Sequence, residues 1–403
     1  MSINDQAHRL AQGPLESMAI DVAHNVGVVK LRDGRSLRTP LNFHEPDDRL
    51  AITHMLYTFA DRALQVTTLT GESAVIDIAL PGEKARESGR RVVYLDQGHW
   101  SAVARHLHGP TSLAANEAAA ADKLIEWAVN GHIILPLSSG HFIETTPLFG
   151  PKRHSLALTM LKLSRGWRMR SPVLVRRDEI VAVLETDRRQ AQARPDVFTL
   201  DPDGLFIDSS APPVPADLPG YLGWLFQRLT SVSANFAVLI ENQRTQPEKT
   251  SAWSDRLAAI GLNPEFMALS TKRRRTAALV NALSDALAEP SVLAYLRHLG
   301  LPGEEVATSL FNGLRKQRET MPFLRLYGDA LGVRLLNPTT KWVPNDLIDM
   351  LYLGCAAAYA DAVAAERTAS VYLTSALRDR QDPCPVVPTL GELVAILESM
   401  GLP

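Results

Sequence analysis

The sequence predicts a mixed α/β fold, and three observations carry that prediction. Two short β-branched runs, RVVYLD and HIILPLS, flank an alanine- and leucine-rich stretch, the strand–helix–strand order of a parallel βαβ unit. A second α/β block closes the chain, where DLIDMLYLGCAAAYA has helical spacing and DAVAAE and SVYLT read as two short strands. Ahead of both lie alternating or β-branched runs punctuated by turn signals, which read as a small β-rich module over residues 1–88.

Composition narrows the class. With 46% hydrophobic and 21% charged residues over 403 positions, the chain sits near the soluble globular average, which excludes disorder, collagen and coiled coil as whole-chain readings. Its 42 Lys+Arg balance 44 Asp+Glu, so any nucleic-acid surface must be a local patch. Cys355 and Cys384 form neither a disulfide framework nor a CxxC pair. No signal-like leader and no run of about 18 apolar residues is present, so a cytoplasmic protein without a membrane partner is expected.

Taken in order, the runs Val26 to Leu31 and Leu64 to Leu69, with Asp33-Gly34 and Gly71 as turns, justify the N-terminal module. Pro81-Gly82 and the polar EKARESGRR form a linker. Residues 89–403 then make the main domain. RVVYL ends at Asp96, Trp100 to Ala128 fits two helices interrupted at Gly109-Pro110, and HIILPLS follows Gly131. Residues 151–335 are largely helical and are expected to be an insertion, broken near 195–219 and 243–249 and carrying the cluster Lys272-Arg273-Arg274-Arg275. Asn345 is a candidate N-cap for the helix after it, and Gly391 to Met400 a terminal helix.

Acids recur where strands meet helices. Asp96 follows the first strand, Glu144 lies beyond the second, Asp346 and Asp349 share one face of a helical first turn, Asp361 opens a strand and Glu366 closes it. In an open parallel sheet, ligand sites form outside the carboxyl ends of the strands. Converging carboxylates there repel and raise one another's pKa unless a divalent cation neutralises them, and oxygen-only ligands favour Mg²⁺ or Mn²⁺ over zinc. Such an ion suits phosphodiester hydrolysis. Taken singly, Asp96, Asp346 and Asp349 read more readily as helix caps or dipole partners contributing roughly 0.3 to 2 kcal/mol, Asp361 as a turn residue and Glu366 as a solvated strand end, so the joint pattern carries the argument.

Other chemistries fit less well. The histidines between His99 and His154 make no HExxH, and GxSxG and GxxxxGK[ST] are both missing. His141, three residues before Glu144, is a candidate phosphate contact, as is Gln97 beside Asp96. The basic run from Lys272 to Arg275 either grips phosphates or forms a solvated helix face.

VVYLDQGHW, ILPLSSGHFIET and NDLIDMLYLGCAAAYADAVAAER together resemble the PIN-like nucleases, metal-dependent enzymes that cut RNA and occasionally DNA. The resemblance covers about residues 90–165 and 340–380. It implies a three-layer parallel-sheet PIN-like core with a large helical insertion. It also implies that Asp96, Glu144, Asp349 or Asp346, and Asp361 hold Mg²⁺ or Mn²⁺, with Glu366 at a further acid position. The expected partners are RNA, or single-stranded DNA, and a protein such as an antitoxin, with self-association left open. A toxin or defence endoribonuclease is the implied role. The rival readings are a non-catalytic scaffold that recruits a protein, and a metal-dependent phosphatase on another α/β fold.

Overall fold

The computed structural model describes residues 3–22, 24–40, 52–78, 88–109, 113–187, 196–201, 250–298, 321–337, 341–343 and 345–403, with scattered positions between 220 and 239 and at 308 and 310. The Pro81-Gly82 turn, most of the 195–219 interruption and the 243–249 interruption lie outside the described residues.

Helix α1 (Ile3–Gln12) leads into β1 (Leu15–Asp21), β2 (Val26–Leu31), β3 (Ser36–Pro40), β4 (Ile52–Thr58), β5 (Ala63–Thr68) and β6 (Ser73–Asp77). These strands pair antiparallel in the order β3-β2-β1-β4-β5-β6, the β-rich module the sequence predicts. Gly34 and Gly71 supply positive φ angles at hairpin turns, where a side chain would strain the backbone. Along β5, Leu64 and Val66 are buried while Gln65 is exposed, the alternation of a sheet with one covered face. That face shares a hydrophobic core with Leu95, Trp100 and Leu156, so the sheet packs into the α/β region. The seam is reinforced by Asp77, which accepts from Arg90 Nη1 (2.9 Å), Arg165 Nη2 (2.7 Å) and Trp167 Nε1 (3.0 Å).

The remaining elements are β7 (Arg91–Leu95), α2 (Gln97–His108), α3 (Ala115–Val129), β8 (Ile133–Ile134), α4 (Ser139–Thr145), α5 (Gly150–Ser164), β9 (Arg168–Met169), α6 (Pro172–Asp187) and β10 (Phe198–Thr199). They continue with α7 (Thr250–Leu262), α8 (Pro264–Ala268), α9 (Thr271–Leu287), α10 (Pro290–His298), α11 (Pro322–Leu335), α12 (Asn345–Tyr359), β11 (Ala362–Ala364), α13 (Arg367–Leu377), β12 (Val386–Val387) and α14 (Leu390–Ser399). Four strands form a parallel sheet in the order β12-β11-β7-β8. In β7, Val93 and Leu95 enter one core and Val92 and Tyr94 another, so the sheet is covered on both faces. From β7 the chain crosses to β8 on one side, and from β11 it crosses to β12 on the other. The crevice between β7 and β11 is therefore the topological switch point.

One expectation changes. SVYLT is helical, within α13: Ala369, Leu373 and Leu377 are buried at a spacing of four while Val371 is 65% exposed, and that periodicity overrides β-branching. Strand β12 is a two-residue pair between prolines, too short to show a pattern. Within the 151–335 region, α11 sends Leu326, Tyr327 and Leu331 into the core shared with Val92, Tyr94 and Val363.

Candidate carboxylate site at the strand switch point

Asp96 leaves the carboxyl end of β7 and stitches it to β11. Its backbone N–H donates to Ala364 O (3.0 Å), and its Oδ2 accepts from the Glu366 N–H (2.6 Å). Its Oδ1 caps α2 by accepting from His99 N (3.0 Å) and also meets His99 Nδ1, while His99 Nε2 faces Pro388 O at 3.1 Å. Burial disfavours charge on both residues, but their mutual contact outweighs it, holding Asp96 below and His99 above their ordinary values. Glu366, at the N-cap of α13, shares this corner: a Cβ on Gly98 would lie 3.4 Å from Asp96 Oδ1 and 4.0 Å from Glu366 Oε1.

Glu144 and Asp349 approach from facing helices. Ser138 caps α4, and Gly140 lets that helix come close enough to α12 that an added Cβ would lie 3.1 Å from Tyr352 Cδ2. Ser139 Oγ and Tyr352 OH complete the seam with a 2.7 Å hydrogen bond. Asp349 precedes Tyr352 by one turn and Glu144 follows Gly140 by one turn, so both acids lie along this seam. Burial, followed by Asp349, Asp96 and Glu366, pushes Glu144 up to about 7. Burial, followed by Glu366, Asp346 and Asp96, pushes Asp349 up to about 6. Glu144 and Asp349 thus sense neighbouring carboxylates across the switch point, although as the side chains stand no three His, Cys, Asp or Glu among the described residues are gathered tightly enough to hold an ion.

Several predicted site residues stand elsewhere. Asp361 sits at the opposite end of the sheet, because β11 and β7 run parallel and it precedes β11: its Oδ2 accepts from Val92 N (2.8 Å) and its Oδ1 meets Arg91 Nη1 (3.1 Å). Five residues of nearly extended chain separate it from Glu366, about 16 Å, too far to share an ion. Asp346 is buried and held bidentately by Arg334, with both N···O distances 2.9 Å, and it accepts from Val343 N (2.7 Å), so it closes the start of α12 structurally. His141, 2% exposed, spends both ring nitrogens on the backbone, Nε2 donating to Leu95 O (2.8 Å) and Nδ1 accepting from Ser138 N (3.0 Å). Burial drives its pKa down to about 4, so it remains neutral and does not face the site as a phosphate contact.

Gln97 donates through Nε2 to Thr145 Oγ1 (2.8 Å), next to Glu144, and its buried Oε1 has no partner among the described residues. In the basic run, Arg274 is consumed by the carbonyls of Leu269 and Met267, whereas Lys272 and Arg275 line a cleft. His99 is the residue whose role the sequence analysis missed. The available signal is the Asp96-x-x-His99 spacing, which places the histidine at the third position of the capped helix. Compared with known proteins, the chain matches no family model, no curated protein and no solved structure.

Proposed function

We propose that the protein is a divalent-metal-dependent hydrolase of phosphodiesters, with its site at the β7/β11 switch point. More particularly, the PIN-like resemblance of the segments carrying Asp96, Glu144 and Asp349 makes RNA the substrate and internal cleavage the reaction. One observation carries the reading: Asp96 and Glu366 leave adjacent parallel strands, and two further carboxyl groups, Glu144 and Asp349, lie near enough that the like charges raise their pKa values. The donor set consists of oxygens alone, which fits Mg²⁺ or Mn²⁺ held by Asp96, Glu144, Asp349 and Glu366. The ion, when bound, polarises the phosphodiester and neutralises developing charge.

The chain's own residues do the rest. His99 keeps Asp96 ionised and fixed in orientation. Glu144 and Asp349 release protons as a cation enters, since their elevated pKa values arise from burial and like charge. Gly98 leaves the corner between Asp96 and Glu366 open for a ligand. The test is Mn²⁺-stimulated cleavage of a labelled single-stranded RNA. Asp349→Asn and Glu144→Gln should abolish cleavage, whereas Asp361→Asn should retain it. Undiminished cleavage by an Asp96→Asn/Asp349→Asn double variant would overturn the proposal, and a wild-type protein with neither cleavage nor a Mn²⁺-induced thermal shift would be a scaffold instead.

A further inference from the structure

A cleft of about 840 Å³ opens between α9, α11 and the last turn of α13, and none of Asp96, Glu144, Asp349 and Glu366 lines it. Four of its lining residues are cationic, Lys272, Arg275, Arg325 and Arg380, against the two anions Asp329 and Asp379. Arg325 is engaged with Asp329 (2.8 Å), and Arg380 donates to Pro322 O (2.6 Å). Lys272 and Arg275 make no ion pair among the described residues, and both are exposed to whatever enters. Among the described residues, the cleft therefore presents more positive than negative charge.

Its position relative to the acids follows from two helices. Glu366 is the N-cap of α13, and Ser375 and Ala376 of the same helix line the cleft, nine to ten residues on, or about 14 Å along the axis. On α11, Val333 lines the cleft and its neighbour Arg334 grips Asp346, one turn before Asp349. One linear polyanion lying along α13 would reach both places.

We propose that this cleft seats the phosphate backbone of a single RNA strand whose continuation enters the carboxylate site, with Lys272 and Arg275 as its principal phosphate contacts. The inference rests on the nuclease reading and adds the path and strandedness of the substrate. A cleft of this volume has the size of a small-ligand pocket, which suits one strand better than a duplex. Its lining among the described residues contains no aromatic ring on which a base could stack, so recognition is of backbone charge, independent of sequence and steeply salt-dependent. Arg273 is absent from the lining and Arg274 is spent on Met267 and Leu269 carbonyls, so only half of the basic run takes part.

The experiment measures equilibrium binding of fluorescein-labelled polyuridine by anisotropy across a salt series in EDTA, where cleavage plays no part. Lys272→Ala/Arg275→Ala should weaken binding and flatten the plot of log K against log[salt] by about 1.4, at roughly 0.7 per lost phosphate contact. Arg273→Ala should leave both unchanged, and thermal melting verifies that each variant is folded. Wild-type affinity and slope in the double variant would overturn the proposal. So would competition by inorganic phosphate or polyglutamate as effective, per charge, as by unlabelled RNA, which would make the cleft a general anion site. Failure of the nuclease reading shows separately, as a wild-type protein that binds the strand but never cuts it.

Discussion

Asp346 and Asp349 lie one helical turn apart and have opposite fates. Asp346 is neutralised by Arg334, whose guanidinium also lies over the rings of Trp342 and Tyr372, whereas Asp349 faces other acids. Sequence spacing puts both on one face and offers no means of choosing between them, because Arg334 lies on a different helix twelve residues earlier. Removing one member of a buried pair strands the other, so Asp346→Asn should destabilise the fold by about 3 to 5 kcal/mol in urea unfolding, through Arg334 rather than through the site. Glu144 and Asp349 titrate the opposite way to Asp96. Their folded pKa values of about 7 and about 6 lie above the ordinary carboxylate values, so the stability they contribute is fully present below about pH 4 and lost as pH rises through 6 to 7. Mn²⁺ should therefore raise the melting temperature more at pH 8 than at pH 5. An equal shift at both values would show that the ion does not bind these groups.

At the scale of elements, the strands with flanking acids were legible because a β-branched run ending in Asp or Glu survives any amount of intervening chain. Strand β12 was not legible, since two valines between prolines carry no period. SVYLT misled because its branched residues suggest a strand, while the decisive fact, Val371 facing solvent between Ser370 and Tyr372, belongs to the packing of α13. Helix α11 shows how finely packing is set. A Cβ on Gly328 would come within 2.5 Å of Leu279 Cδ1 and 3.3 Å of its Cα, whereas one on Gly332 would meet Ala278 Cβ at an ordinary 3.5 Å. Gly328→Ala should thus destabilise by about 1 to 3 kcal/mol through forced separation of α9 and α11. Gly332→Ala in the same helix should be neutral or stabilising by up to about 1 kcal/mol, through helix propensity. Denaturant midpoints of the two variants test the contrast.

For the whole molecule, the mixed α/β class and the antiparallel N-terminal sheet follow from local patterns in the sequence. The sharing of one hydrophobic core by that sheet and the parallel sheet does not, because it depends on surfaces meeting across the chain. Asp77 exemplifies this, with its partners at Arg90, Arg165 and Trp167. No helix among the described residues is long and apolar enough to cross a membrane. Asp77→Asn should loosen the joint between the sheets, seen as faster amide hydrogen exchange in β6 and around Trp167 ahead of global unfolding. Unchanged exchange there would show that apolar packing alone secures the joint.

The hydrogen bond from the Glu366 amide to Asp96 couples positions 270 residues apart. During synthesis, Asp96 emerges from the ribosome long before Asp349 and Glu366, and at roughly 5 to 20 residues per second that interval lasts on the order of tens of seconds. Throughout it the acidic group is incomplete, and its members first come together when β11 docks beside β7.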